Sequence, residues 1–246
     1  MTPATAILLI FLTAAGLAVG YLLNGVVARV QPWLEPSPER TRLRPAAHMH
    51  AGPRRTAVML LTPLSFVGVT WFFVSDADPS RANEVWSLAV TIVAFLYFAA
   101  VSIALTFIDL ATHRLPNALV LPCYPVGAAL LGCASLLVGD WQAVLTAVAG
   151  MVILFSFYFM LRSLQPRGMG GGDVKLAGVI GMYLGWLGWT ALAVGAFAAF
   201  LLGGAVGVAL ILGGRASRTT ALPFGPWMLA GAWVGIALSD STLLVS

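Results

Sequence analysis

Two of the nine acidic residues stand where acids are rare, at the ends of long apolar runs. Asp109 closes one run in Thr106-Phe107-Ile108-Asp109-Leu110 and is followed by Ala111-Thr112-His113-Arg114-Leu115-Pro116-Asn117. Asp173 opens another, directly after Gly168-Met169-Gly170-Gly171-Gly172 and directly before Val174-Lys175. A carboxylate at the border of a membrane segment is unfavourable unless it is paired or faces water, which makes each a functional candidate. Two such groups at one depth suit the activation of water, one taking a proton from it and the other giving one to a substrate. Held close together, they cannot both ionise readily and would share a proton. The glycines before Asp173 allow backbone conformations closed to other residues and the near approach of a substrate chain.

The helix ends expected at these positions differ. Asp173 falls at a helix N-terminus, whose partial positive charge favours an anion, and Asp109 near a C-terminus, which disfavours one. Asp109 is therefore expected to be the more readily protonated, an order that Arg114 and Lys175, close by in sequence, could reverse. Plainer readings fit the same residues. A glycine loop followed by a capping acid is common, and Asp109 could be a helix-end acid paired with Arg114. His113 reads as a loop residue at headgroup level and Lys175 as a side chain reaching to the aqueous surface. Cys123 and Cys133 read as small buried apolar residues, and Pro116 and Pro223 as helix starts.

The elements that must hold these residues are set by composition. Of 246 residues, 60% are hydrophobic and 9% charged, where a soluble domain carries about 25% charged residues; the mean hydropathy is +0.94. An all-α, polytopic integral membrane protein of about eight transmembrane helices is expected, as a single membrane domain over residues 1–246 with no sizeable soluble part. The eight apolar segments are Ala4–Ala28, Thr56–Val74, Val85–Ile108, Ala118–Val138, Trp141–Leu161, Val174–Trp189, Ala191–Leu212 and Pro226–Leu238, the sixth and last being short. The first lacks a basic residue before it and is too long for a cleavable signal, so it reads as a retained helix.

Basic residues cluster in alternate loops: Arg29, Arg40, Arg42, Arg44, Arg54 and Arg55 after the first segment, Arg114 after the third, Arg162, Arg167 and Lys175 around the fifth and sixth, and Arg215 and Arg218 after the seventh. Of the 13 Lys and Arg residues only Arg81 falls on the other side, with Asp76, Asp78, Glu84, Asp140 and Asp240. The positive-inside rule then puts both candidate acids at the cytoplasmic edge and both chain ends outside. Residues 31–55 read as a short, Pro- and Arg-rich irregular loop resting on anionic lipid headgroups. Gly181xxxGly185 and Gly203xxxGly207 read as close-packing faces. Nothing suggests a nucleic-acid partner, and the two cysteines form no CxxC pair of the kind that holds zinc.

Gly170-Gly171-Gly172-Asp173 within Gly168–Leu176 resembles the GxGD signature of type IV prepilin peptidases. Asp109 to Asn117 is similar to that family's other aspartate motif, with its basic residue, here Arg114, and its Pro116-Asn117 end. Leu222-Pro223-Phe224-Gly225-Pro226 resembles the family's usual passage into the last helix, and Gly20, Asn24 and Arg29 are similar to its first-helix pattern. The resemblance implies an aspartic endopeptidase of the inner membrane that removes the short basic leader from pilin and pseudopilin precursors at the cytoplasmic face. It implies Asp109 and Asp173 as catalytic residues. Gly170, Gly171, Gly172, Lys175, Arg114, Pro116, Asn117, Pro223 and Gly225 would support substrate or loops.

One departure bears on cofactors. Many members carry, after the first helix, a cytoplasmic domain with two CxxC pairs, and methylate the new N-terminus with S-adenosylmethionine. Residues 31–55 contain no cysteine. A shortened, peptidase-only form is expected, with no metal and no cofactor, S-adenosylmethionine entering only if methylation is retained; oligomeric state is left open. The competing readings are a GxGD protease of other membrane substrates, a non-catalytic subunit of a pilus or secretion machine, and a proton-coupled transporter. The last would place charges near the bilayer midplane, and here both acids lie at an edge.

Overall fold

The computed structural model describes residues 3–34, 51–75, 81–165, 169–214 and 223–239. Among these there is no strand; the elements are α1 (Pro3–Leu34), α2 (Ala51–Ser75), α3 (Ala82–Thr112), α4 (Asn117–Val120), α5 (Cys123–Val138), α6 (Trp141–Leu164), α7 (Gly171–Leu187), α8 (Trp189–Leu212) and α9 (Gly225–Ala237). Backbone groups in lipid have no water to bond, so a spanning chain of this composition satisfies them within helices. Among the described residues, six helical stretches are long and apolar enough to cross a membrane: α1, α2, α3, the α4–α5 unit, α6 and α8. All eight expected segments are thus helical, but α7, with 17 residues, and α9, with 13, are shorter than the other six. The chain is an all-α, polytopic membrane protein.

Several expected boundaries move. Helix α1 runs to Leu34 and α2 starts at Ala51, so residues 31–34 and 51–55 are helical and not part of an irregular loop. Asp109 is not the last residue of its helix either. Helix α3 continues a further turn to Thr112 and ends where His113 adopts a left-handed conformation (φ 53°), its N–H donating to the Asp109 carbonyl at 2.8 Å. The fourth apolar segment is broken at Leu121-Pro122, because Pro122 has no N–H to give, and α5 restarts behind it. Cys123 is buried as expected, whereas Cys133 is exposed. Arg40, Arg42, Arg44, Asp76, Asp78, Arg167, Gly168, Arg215, Arg218, Leu222, Asp240 and the side chain of Arg29 lie outside the described residues.

Helices in lipid gain nothing from hiding apolar surface from a solvent that is itself apolar, and instead associate by close packing. Helices α6 and α7 show this most fully. The backbone of Gly150 lies directly on that of Gly181, and Gly185 lies on the Thr146 carbonyl, so the Gly181xxxGly185 face is a packing face. At the other end of the series, Gly16 of α1 admits Pro63 of α2 in the same way, and Gly203 of α8 lies under Phe224 and Trp227. An aromatic column of Phe73, Phe95, Phe98, Tyr183, Trp186 and Trp233 ties α2, α3, α7 and α9 together, with neighbouring ring centroids 4.5–6.2 Å apart. This column fixes the two helices that carry Asp109 and Asp173 against each other. The consequence is one place where α3, α4, α7 and α9 meet.

Candidate active site

Asp109 and Asp173 are both buried, with 3% and 9% of their surface exposed. Each is fixed by one backbone amide. The Gly170 N–H donates to Asp173 Oδ2 at 3.0 Å, across the first turn of α7. The Gly225 N–H, at the N-terminus of α9, donates to Asp109 Oδ2 at 3.1 Å. Both carboxylates therefore face the positive end of a helix, Asp173 that of its own and Asp109 that of a helix 116 residues away in sequence. The contrast in helix ends that the sequence suggested is offset by α9.

Leu115 locks the three segments together. The left-handed turn at His113 reverses the chain after α3, and the Thr112 hydroxyl, bonded to the Ile108 carbonyl at 2.8 Å, sits within 3.3 Å of the Arg114 carbonyl. That turn brings Leu115 onto both glycine segments. A Cβ on Gly172 would lie 2.7 Å from Leu115 Cβ, and one on Gly225 would lie 3.4 Å from Leu115 Cδ1. Gly172 is thus required by space, not by a special backbone angle. Replacing it by alanine overpacks this junction and is expected to cost about 1–3 kcal/mol, read as a lower thermal midpoint in detergent, with an unchanged midpoint contradicting the packing.

Further out, Lys175 Nζ donates to Asn117 Oδ1 at 2.9 Å, and the Tyr124 hydroxyl donates to the Lys175 carbonyl at 2.7 Å. Lys175 therefore links the two aspartate motifs instead of simply reaching to the surface. Pro116 caps α4, the short helix that presents Asn117. Pro223 leads into α9, which begins at Gly225 behind Phe224. Arg114 is exposed, and Asp109 bonds the Gly225 amide instead of pairing with it. Gly170, Gly171, Gly172, Asn117, Lys175 and Gly225 thus come together around the two acids, and Arg114 does not.

Two residues of α6 that the sequence reading passed over as site residues also reach the site. Tyr158 is buried, its ring 6.2 Å from that of Phe224, which precedes Gly225. The Arg162 guanidinium lies against Gly171 and acts on Asp173 as well. A tyrosine and an arginine four residues apart near the end of a mostly apolar helix were the available signal. Among the described residues, no group of three or more His, Cys, Asp and Glu could hold a metal ion.

Residues 96–208, which include both aspartates and the glycine segment, match the type IV leader peptidase family. Over that region the chain is similar to this family. Among its relatives, the prepilin leader peptidase/N-methyltransferase of Aeromonas hydrophila is 36% identical over 149 residues, covering 60% of this chain and 50% of that protein. The protein of the same name from Pseudomonas putida is 34% identical over 143 residues, 56% of this chain and 47% of that one. A third, from Dickeya chrysanthemi, is 31% identical over 201 residues, 80% of this chain and 65% of that one. The chain spans about half the length of the first of these relatives. No solved structure matches it. The site described above is where the two aspartate motifs quoted from the sequence meet.

Proposed function

We propose that this protein is a membrane aspartic endopeptidase that removes the basic N-terminal leader from pilin or pseudopilin precursors, with Asp109 and Asp173 activating water at the cytoplasmic face of the inner membrane. The observation that carries the reading is the pair itself: two buried carboxylates from separate helices, each fixed by a backbone amide, inside the segment that matches the family. The cytoplasmic placement and the outward chain ends rest on the clustering of basic residues in alternate loops. A leader that is itself basic stays on that side of the membrane and meets the site there.

The chemistry follows from the pair. Asp173, ionised, takes a proton from a water molecule as the water oxygen bonds to the scissile carbonyl carbon. The displaced electron pair goes to the carbonyl oxygen, which accepts the proton of Asp109. As the tetrahedral species collapses, the carbon–nitrogen bond breaks and the amine nitrogen takes the proton held by Asp173. Asp109 regains its own from the hydroxyl that becomes the carbonyl of the leader. The fixed amides of Gly170 and Gly225 hold both carboxylates in place, so no reorganisation is needed as charge moves.

The relatives' name includes a methyltransferase, and this chain has no cysteine in residues 31–55. The reading is cleavage without methyl transfer, with neither zinc nor S-adenosylmethionine required. Incubating the reconstituted protein with a pilin-type precursor and S-adenosylmethionine, followed by mass spectrometry of the product, tests this. A new, unmethylated N-terminus at the start of the apolar segment is expected; a methylated one contradicts it, and an uncut precursor moves the scaffold reading ahead.

A further inference from the structure

Gly150, Leu154, Tyr158 and Arg162 recur at every fourth residue of α6 and form one stripe facing α7. The first two are packing: Gly150 on Gly181, and Leu154 beside the same glycine. The second two continue the stripe to the start of α7, where Asp173 lies. Tyr158 is 2% exposed and held between Phe200 and Phe224, with ring centroids 5.6 and 6.2 Å away. Phe224 immediately precedes Gly225, whose amide holds Asp109. One turn on, Arg162 extends past this aromatic packing and lays its guanidinium on Gly171, two residues before Asp173. Helix α6 is thus a third wall of the site, and Arg162 is the cation that it contributes.

We propose that Arg162 is a positioning residue that holds Asp173 in its ionised form, so that α6 decides which of the two carboxylates takes the proton from water. The inference rests on the two-aspartate reading above. Asp173 also accepts the Gly170 N–H at the start of its own helix, but no other group facing it supplies a full positive charge. Asp109, from α3, is of like charge. Tyr158 is neutral, and the Tyr124 hydroxyl of α5 is spent on the Lys175 carbonyl. Lys175, on the same helix as Asp173, reaches to Asn117 on α4. Helices α8 and α9, which also pack on α7, carry no ionisable side chain. An arginine in the last turn of a helix can also serve only to satisfy carbonyls, and the two roles separate by pH.

The sign is fixed by the role. The base must be ionised to act, and removal of a neighbouring cation makes ionisation harder, so cleavage is lost at a higher pH as the solution is acidified. Arg162→Gln in liposomes is expected to lower kcat on a pilin-type precursor about tenfold near neutral pH and to move the acid limb of the pH–rate profile up by about one unit, with KM little changed. Arg162→Lys keeps the charge and is expected to recover most of the rate and the wild-type limb. A folded, inserted Gln variant with the wild-type limb overturns the proposal, as does a Lys variant no better than Gln. Where the Gln variant does not accumulate, the Lys variant decides alone, a displaced limb overturning the proposal. Asp173→Asn run alongside separates the failures. If it cleaves like wild type, the two-aspartate reading has failed; if it is inactive while Arg162→Gln is normal, only the role of Arg162 has.

Discussion

Asp109→Asn and Asp173→Asn are each expected to lower the cleavage of a pilin-type precursor by on the order of a thousandfold, within the range of a positioned general acid or base. Asparagine keeps the size of the side chain and an oxygen able to accept the amide that now holds each carboxylate, Gly225 N–H for Asp109 and Gly170 N–H for Asp173. It cannot release or carry a proton. The helices should therefore assemble unchanged, because the α3–α7 junction is built by Phe95, Phe98, Tyr183 and Trp186, which neither substitution touches. The check is cleavage measured against thermal unfolding in the same detergent. Loss of both together would assign the acids a structural part; loss of cleavage alone assigns them the chemistry.

Gly225→Ala is expected to have the next largest effect, although residue 225 lies beyond the segment that matches the family. The added Cβ would stand 2.7 Å from Asp109 Oδ2, well inside van der Waals contact, so either the carboxylate turns away or the first turn of α9 retreats. Both break the bond that fixes Asp109. A displacement of about 1 Å at a reacting group can cost about a hundredfold, and the loss should fall on kcat, since substrate binding does not depend on that bond. The contradiction would be an alanine variant with wild-type kcat, which would mean that the Gly225 amide does not set the position of Asp109.

Much of this was legible in the sequence, and what was not has a common physical cause. Carboxylates are costly in lipid, so Asp109 and Asp173 stood out once the apolar runs were drawn, and all eight runs are helical. Hydropathy follows the thickness of an apolar layer, whereas a helix ends where its hydrogen bonds do. That is why α3 runs past Asp109 to the left-handed His113, and why α1 and α2 extend into residues read as loop. A membrane helix is apolar on the faces that meet protein and lipid alike, so the exposure of Cys133 and the burial of Cys123 could not be told apart. The motif around Gly225 and the spacing of Tyr158 and Arg162 were visible in the sequence, but that the Gly225 amide meets Asp109 and the Arg162 guanidinium meets Gly171 comes only from tertiary packing.

The most direct test of the central claim, that Asp109 and Asp173 act as one unit on water, is the cleavage rate of the double variant beside the two single ones, with purified protein in liposomes and one pilin-type precursor. Groups that act together are strongly non-additive. The account predicts that Asp109→Asn, Asp173→Asn and the double variant fall to the same residual rate, all of them inserted and folded. A single variant that still cleaves near the wild-type rate, or a double variant whose loss is the product of two independent losses, would contradict it.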